Sequence, residues 1–572
     1  MEKKWVLAKP VSLEFRKKFP EIPSLILQLL HNRNLITQDQ IDEFLNPDYG
    51  QDLLDPFLFS DMEKAVARVY QAVENKEKIT VHGDYDADGV TSSVLLADVL
   101  QKMGADFNVY IPHREKEGYG LNEKTIKYLA KKKTKLIITV DCAISNVAEI
   151  ELAKKKGIDV IVTDHHAEPA ELPRAYALID PKVKKCNYPF YDLAGVGVAF
   201  KLAQAIIAKD KKNIFPVGYE KWLLDLVAIG TVTDMMPLLG ENRTLVKYGL
   251  MVLNKTKRIG LQLLADKAGI LPVTEEELIN SENIGFVLGP RINAAGRMDH
   301  ANAAYELLIT NDYNEAKKLT DSLEKNNQQR QKVTEKIMKQ VVKDIKDIDK
   351  QYLIWSEGKN LPLGIIGLAA GKIKDEYNRP VLIVSKRLQR TSGSGRSIDE
   401  FNLIAALNQV AEYFKIYGGH AGAAGFTLKN NKYLKALKEK IFKIARKQLG
   451  NKDLRPKLSI EAALDLQDLN WELFDQMEKF EPFGTANPKP VFLVKNLNVE
   501  NIRTVGNDNS HLKLFLKQEG MIKGFDCIGF RMGNLIEQIK YGDKLDVVCE
   551  INLNEFNGTR KLELQLIDIK KK

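Results

Sequence analysis

The sequence predicts an α/β chain: a parallel-sheet domain, a long helical segment, a smaller α/β domain and a small C-terminal β-barrel. Three observations predict it. Between about residues 55 and 250, short β-branched runs alternate with helical stretches, the pattern of βα units around a parallel sheet. From about 300 to 348 the chain is rich in Lys, Glu, Gln and Leu, which reads as helix. From about 457 onward the hydrophobic period drops to two, giving roughly five short strands in the last 115 or so residues.

At 572 residues the chain is too long for one core. The expected boundaries are a helical lead-in at 1–54, the parallel-sheet domain at 55–299, the helical linker at 300–348, the smaller α/β domain at 349–450 and the β domain at 451–572. No apolar run is long enough to span a bilayer, and Met1-Glu2-Lys3-Lys4-Trp5 opens no signal peptide. The four cysteines (Cys142, Cys186, Cys527, Cys549) lie far apart with no zinc-type spacing, so the expectation is a reduced, cytoplasmic protein with no membrane contact.

In the lead-in, Pro23-Ser24 starts an apolar helix, and Thr37-Gln38-Asp39-Gln40 caps a second. The strand runs that follow are 78–81, 106–111, 135–140, 159–162 and 177–179. In open parallel sheets chemistry collects at the carboxyl ends of the strands. The first run ends in His82-Gly83-Asp84-Tyr85-Asp86-Ala87-Asp88-Gly89, which crowds three carboxylates and a histidine into seven residues. Mutual repulsion makes such a cluster unfavourable unless a cation compensates it. The third run ends in Asp141, and the fourth in Asp164-His165-His166. A helical stretch at 222–229 leads into Gly230-Thr231-Val232-Thr233-Asp234, so four segments deliver Asp or His to what reads as one edge.

The second α/β domain has strands near 351–355 and 380–385. Its glycine-rich features are Gly364-Ile365-Ile366-Gly367, Ser392-Gly393-Ser394-Gly395-Arg396-Ser397 and the loop at 418–425, which holds His420. Glycines at that density permit close approach of backbone to a ligand or to another element. The net charge of +9 is concentrated here: residues 351–450 hold 17 Lys and Arg against 7 Asp and Glu. That excess points to a polyanionic partner, against the plain alternative of solvated lysine-rich helices. In the β domain the strands are expected at 490–494, 511–517, 525–530, 544–553 and 561–569, with Asn557-Gly558 as a hairpin signal. Five strands of this length suit an OB-like barrel.

These motifs together resemble the DHH phosphoesterase superfamily and, within it, the RecJ-type single-strand exonucleases. The stretch at 81–93 is similar to the first family motif, Val140-Asp141-Cys142 to the second, Asp164-His165-His166 to the third, and Thr233-Asp234 with Pro237-Leu238 to the fourth. Gly289-Pro290-Arg291-Ile292-Asn293-Ala294-Ala295-Gly296-Arg297 and the loop at 418–425 resemble the bridge and the DHH-associated domain. Glu481-Pro482-Phe483-Gly484 with Asn487-Pro488-Lys489-Pro490 resembles the lead into the OB domain. Two departures stand out: Ser356 follows Trp355 where the family often has His, and Ala486 replaces a common Gly.

The resemblance implies a metal-dependent exonuclease acting on single-stranded DNA in repair and recombination, 5′ to 3′, releasing 5′-mononucleotides. Phosphodiester hydrolysis needs neutralised non-bridging oxygens and a hydroxide near neutral pH, which two divalent ions about 3.5–4 Å apart can supply. Mixed carboxylate and imidazole ligands suit Mn²⁺, with Mg²⁺ as the alternative. By resemblance His82, Asp86 and Asp141 hold one ion, and Asp88, Asp141, His165 and Asp234 the other. Asp84 ranks as a weaker ligand or an outer support. Asp141, His165 and His166 are the expected catalytic residues, His166 meeting substrate phosphate or orienting a neighbour. Arg114, Arg297, Ser394, Arg396 and His420 are expected to hold a terminal phosphate, although Arg291 and Arg297 also suit domain-interface salt bridges. The expected partners are single-stranded DNA and a helicase or single-strand-binding protein, with the chain a monomer.

Two other readings stay open at this point. One is a DHH phosphodiesterase of short RNA or cyclic dinucleotides, a class whose chains usually lack the C-terminal β domain. The other is a catalytically silent DNA-binding replication scaffold, a class that tends to lose metal ligands.

Overall fold

A computed structural model describes residues 2–270, 278–345, 347–388, 390–556 and 558–572. The chain folds as two compact units, one holding residues 54–236 and 248–456, the other 3–53, 237–247 and 457–572.

The first unit is built on a sheet of β1 (Lys78–Gly83), β2 (Phe107–Tyr110), β3 (Thr134–Val140), β4 (Asp159–Thr163) and β5 (Ala177–Ile179), in the order β2-β1-β3-β4-β5. Every pairing is parallel. Val81, Ile137, Ile138, Val140, Ile161 and Val162 are almost fully buried, as expected of strands covered on both faces. The register is the functionally important feature. Gly83 lies opposite Val140, Val140 opposite Thr163, and Thr163 opposite Ile179. The next residue on each strand is an aspartate, so Asp84, Asp141, Asp164 and Asp180 leave the carboxyl edge in a row.

Three helices complete that edge: α1 (Ala87–Lys102), α2 (Gly195–Ala208) and α3 (Leu224–Thr233). Asp86 caps α1, its side chain accepting from the backbone N–H groups of Asp88 and Gly89, both at 3.1 Å. The β-branched run that ends in Asp234 follows the expected helical stretch and is the last turn of that same helix, α3, with Asp234 as its C-cap. The buried helix that runs from Leu224 to Thr231 carries the half-buried Val232 and Thr233 with it despite their β-propensity. Thr233 further satisfies the turn by donating its hydroxyl to Ile229 O at 2.7 Å.

α4 (Gly289–Met298) is preceded by a π-turn at Ile284–Leu288 and followed by the 32-residue helix α5 (Tyr313–Asp344), about 48 Å long at 1.5 Å per residue. α5 is no bare connector. Ile337 and Val341 sit in one core with Ile354, Ile365, Ile366 and Ile383 of the following α/β layer. That layer has five strands, β6 (Ile354–Lys359), β7 (Val381–Lys386), β8 (Thr391–Arg396), β9 (Phe414–Gly419) and β10 (Ala423–Leu428), ordered β9-β10-β8-β7-β6. The Ser392–Ser397 run, glycine-rich and loop-like in sequence, is therefore mostly a central strand. A Cβ on Gly393 would lie 2.5 Å from the Phe426 ring, and one on Gly395 2.7 Å from Leu382, so the glycines let neighbours close over the strand.

In the second unit the strands β11 (Phe492–Val505), β12 (His511–Gln518), β13 (Phe525–Gly529), β14 (Lys544–Phe556) and β15 (Thr559–Lys571) form a barrel that closes through β11 and β14. All five expected strands are present, most of them longer than the sequence suggests. β14 and β15 pair antiparallel; the expected hairpin residue Asn557 lies outside the described residues. The lead-in helices Ser24–Asn32 and Gln38–Leu45 place Leu27, Leu30, Ile41 and Phe44 in the same core as Phe492, Leu514 and Leu545. Lys4–Leu7 pairs in parallel with Lys457–Ile460. Arg243 is buried here and donates to the carbonyls of Phe44, Lys479, Phe480 and Glu481 at 2.7–2.8 Å. No described helix is long and apolar enough to cross a membrane.

Candidate active site

The carboxyl edge of the parallel sheet gathers the sequence-predicted carboxylates and imidazoles. His165 donates from Nδ1 to Leu193 O at 3.0 Å, which leaves the Nε2 lone pair facing inward. Around that nitrogen lie Asp141 Oδ1 at 3.1 Å, Asp234 Oδ2 at 3.6 Å and Asp88 Oδ2 at 3.9 Å. Burial pushes His165 down to about 3, so the imidazole is neutral and offers no positive charge to the three carboxylates. Burial, and then the neighbouring carboxylates, push Asp84, Asp88 and Asp141 well above the ordinary range and Asp234 to about 7. The protein pays for this arrangement in electrostatic energy, and a divalent cation removes the cost.

Among the described residues, three sets of ligand atoms lie within 4.8 Å of one another: Asp84 with Asp86 and Asp141, Asp141 with His165 and His166, and Asp88 with His165 and Asp234. Asp141 joins the first two sets and His165 the last two. His82, the ligand that the resemblance implies beside Asp86 and Asp141, is in none of these three sets, and Asp84 is in the first. His82 is fully buried with Nδ1 3.7 Å from Cys142 Sγ, and burial pushes it down to about 4. Its Nε2 and the Oδ1 of Asp84 are buried without a hydrogen-bond partner among the described residues. Buried polar atoms left open beside crowded carboxylates fit a site built for divalent metal.

Several supports escape the motifs. Asp88 accepts from the N–H groups of Gly195 and Val196 at 2.7 and 2.8 Å, using the exposed donors at the start of α2. A Cβ on Gly195 would come within 2.6 Å of Asp141 Cβ, and one on Gly230 within 2.8 Å of Asp88 Oδ1. The Ala194-Gly195-Val196-Gly197 run ahead of an apolar helix is the signal that could have pointed to them. Asp164 accepts from His165 N at 2.7 Å, Ile144 N at 2.9 Å and His166 Nδ1 at 2.7 Å. Burial pulls His166 down, but its bond to Asp164 and the charge of that carboxylate prevail and raise it to about 9. Asp180, also absent from the motif reading, is pushed up to about 8 by burial and by Asp164.

The second ingredient is positive. Arg297 on α4 is half-buried, donates to Gly364 O at 3.1 Å, and is pushed down to about 10 by desolvation and then by Arg114. Arg396 on β8 is lowered by the same two causes. Arg114 lies 4.6 Å over the Tyr85 ring. Among the described residues no carboxylate lies within ion-pair distance of these three guanidiniums. Arg291, by contrast, forms a salt bridge with Glu324 at 2.8 Å, whereas Arg297 reaches the next layer only through Gly364 O. A Cβ on Gly367 would sit 3.1 Å from both Ser394 Oγ and Arg396, which places Ser394 beside the cluster. His420 lies on the exposed β9–β10 turn, where its Nδ1 accepts from Gly422 N at 3.2 Å.

Three family descriptions match in chain order: "DHH family, N-terminal domain" over 78–231, "DHHA1 domain" over 349–447 and "RecJ OB domain" over 460–568. The single-stranded-DNA-specific exonuclease RecJ of Bacillus subtilis (strain 168) is 37% identical over 551 residues, covering 96% of this chain and 68% of that protein. The protein of the same name from Escherichia coli (strain K12) is 30% identical, with 96% of each chain covered. The crystal structure of RecJ in complex with Mn²⁺ from Thermus thermophilus superposes with a TM-score of 0.83 at 27% identity, over 100% of this chain and 80% of that one. Matched almost end to end by relatives of this identity, with the three domains in the same order, the chain belongs to the RecJ family.

Proposed function

We propose that the chain is a metal-dependent exonuclease that hydrolyses single-stranded DNA from its 5′ end and releases 5′-mononucleotides, in DNA repair and recombination. The observation that carries this reading is the pairing, in one unit, of a carboxylate–imidazole centre with an arginine cluster that has no carboxylate partner among the described residues. The first suits the scissile phosphate and the second a terminal one, whose greater charge clustered arginines can read.

Asp84, Asp86 and Asp141 would hold one ion, with His82 as a further candidate ligand, and Asp88, Asp141, His165 and Asp234 the other. When bound, Mn²⁺ or Mg²⁺ would neutralise phosphoryl oxygens and activate water. The chain does the rest. Asp141 bridges the two ligand sets, Gly195 and Val196 fix both oxygens of Asp88, and Leu193 O fixes the tautomer of His165. His166, held protonated by Asp164, presents a positive imidazole to the phosphate and can give a proton to the leaving oxygen. Arg114, Arg297, Ser394, Arg396 and His420 hold the 5′ phosphate.

The barrel at 460–568 is assigned to the single strand beyond the cleaved end, and the working boundaries are 1–54, 55–299, 300–348, 349–450 and 451–572. A cytoplasmic monomer that works beside a helicase or a single-strand-binding protein completes the reading. The test is manganese-dependent digestion of 5′-labelled single- and double-stranded oligonucleotides. Early release of labelled mononucleotide from the single strand alone supports it; internal cuts, or equal digestion of the duplex, overturn it.

A further inference from the structure

Tyr119 lies outside both the metal ligands and the arginine cluster, yet its hydroxyl touches the centre from behind. It donates to the backbone carbonyl of Asp141 at 3.0 Å and lies 3.1 Å from Nδ1 of His166. Nδ1 of His166 is also 2.7 Å from Asp164 Oδ1, so one N–H is shared between the carboxylate and the phenol oxygen. Asp141 adopts a left-handed conformation (φ +59°), which aspartate tolerates better than most residues but at some strain. The Tyr119 bond to its carbonyl helps to hold it there.

The loop is shaped to deliver this hydroxyl. Gly118 and Gly120 flank Tyr119 with φ of +87° and +74°, and a Cβ on Gly120 would lie 2.4 Å from Asn146 Oδ1. Asn146 clamps the next residue both ways, accepting from Leu121 N at 3.0 Å and donating to Leu121 O at 3.2 Å. Ile144, two residues before Asn146, donates its N–H to Asp164 at 2.9 Å. The bonds close a ring from Tyr119 through His166 and Asp164 to the 141–146 turn, then back through Asn146 to the loop. The same loop carries Arg114 five residues before Tyr119.

We propose that Tyr119 is a positioning residue that couples terminal-phosphate binding at Arg114 to the placement of Asp141 and His166, so that an occupied 5′-phosphate pocket improves the metal centre. The inference rests on the proposed function for the identity of the anion. Its chemistry requires only a phosphate monoester at the arginines and a divalent ion at the carboxylates.

The experiment measures Mn²⁺ binding to the full chain by electron paramagnetic resonance, with and without a phosphorothioate oligonucleotide that carries either a 5′ phosphate or a 5′ hydroxyl. Coupled sites tighten one another reciprocally, by about 5-fold or more in typical cases. In the wild type the 5′-phosphorylated strand should tighten Mn²⁺ binding more than the hydroxyl strand does. Tyr119→Phe, which keeps the ring, should remove that difference. On a cleavable 5′-phosphorylated strand it should lower kcat about 10-fold, the worth of one hydrogen bond to a charged centre, with KM within about 2-fold. Equal tightening by the two strands in the wild type overturns the proposal, as does an undiminished difference in Tyr119→Phe. Additive losses when Tyr119→Phe is combined with Arg114→Lys also overturn it. The binding arm reads out without turnover, so failure of the exonuclease assay and failure of this coupling are separate results.

Discussion

The Nε2 of His165 faces Oδ1 of Asp141 at 3.1 Å with both side chains buried, and neither group brings a positive charge to the contact. In the metal-free protein a proton on Asp141 can bridge this contact, and a cation can take its place; Asp141 reaches from there to Asp84 and Asp86.

Asp141→Ala is expected to abolish hydrolysis while leaving single-strand binding within about 3-fold, because binding draws on arginines and the barrel. Turnover on a labelled oligonucleotide, set beside a filter-binding isotherm, checks both halves.

Gly195→Ala and Gly230→Ala are expected to damage the centre without touching a ligand. Their added methyls would lie 2.6 Å from Asp141 Cβ and 2.8 Å from Asp88 Oδ1. Overpacking of this kind costs about 1–3 kcal/mol, and displaced carboxylates lose metal. Mn²⁺ half-saturation for activity should rise at least about 10-fold, and denaturant titration gives the stability cost.

The metal-free protein should lose stability as pH rises. Asp84, Asp88 and Asp141 are pushed well above the usual carboxylate range and Asp234 to about 7, first by burial. With folded-state values above the unfolded value of about 4, their contribution is full below that pH and is lost on the climb through 7. The rise in thermal midpoint on adding Mn²⁺ should therefore grow across this window. A rise that is flat, or largest near pH 4, contradicts the assignment.

Asp164→Asn should drop His166 from about 9 toward its ordinary value, because the carboxylate that outweighs its burial is gone. Imidazole proton shifts followed against pH read this directly. An unmoved midpoint would place the cause of the shift elsewhere.

Arg243→Leu should destabilise the second unit by about 3–5 kcal/mol, since it leaves the carbonyls of Phe44, Lys479, Phe480 and Glu481 without their donor. Urea unfolding followed by tryptophan fluorescence measures it. A loss below about 1 kcal/mol would mean that water replaces the guanidinium.

Much of the site is legible in the sequence because parallel strands put their functional residues directly after an apolar run. Asp141 and Asp164-His165-His166 are readable for that reason, and the register of β1, β3 and β4 brings them level. Asp234 is legible as a residue but not as a helix cap, since a β-branched run carries no sign that the helix before it continues to its end. The spacing of His82 to Asp86 and Asp88 points to His82 as a ligand. The structure adds Asp84 beside Asp86 and Asp141, and leaves Nε2 of His82 buried without a partner among the described residues, with Nδ1 against Cys142. Gly230 and Arg243 are silent in sequence because their roles are defined by neighbours far along the chain, and Gly195 is marked only by the small-residue run that opens its helix. In the β domain the period-two pattern shows the five barrel strands but not the short strands Lys457–Ile460 and Ala462–Ala463, and the lead-in helices show only an apolar face. That face is filled by the barrel core.

The central claim is a two-ion centre bridged by Asp141, and the number of Mn²⁺ ions bound per chain tests it most directly. Calorimetric titration of the metal-free wild type should end at two ions, and Asp141→Asn should bind at most one and show no hydrolysis. A wild type that saturates at one ion, or an Asp141→Asn variant that binds two and turns over normally, would contradict it.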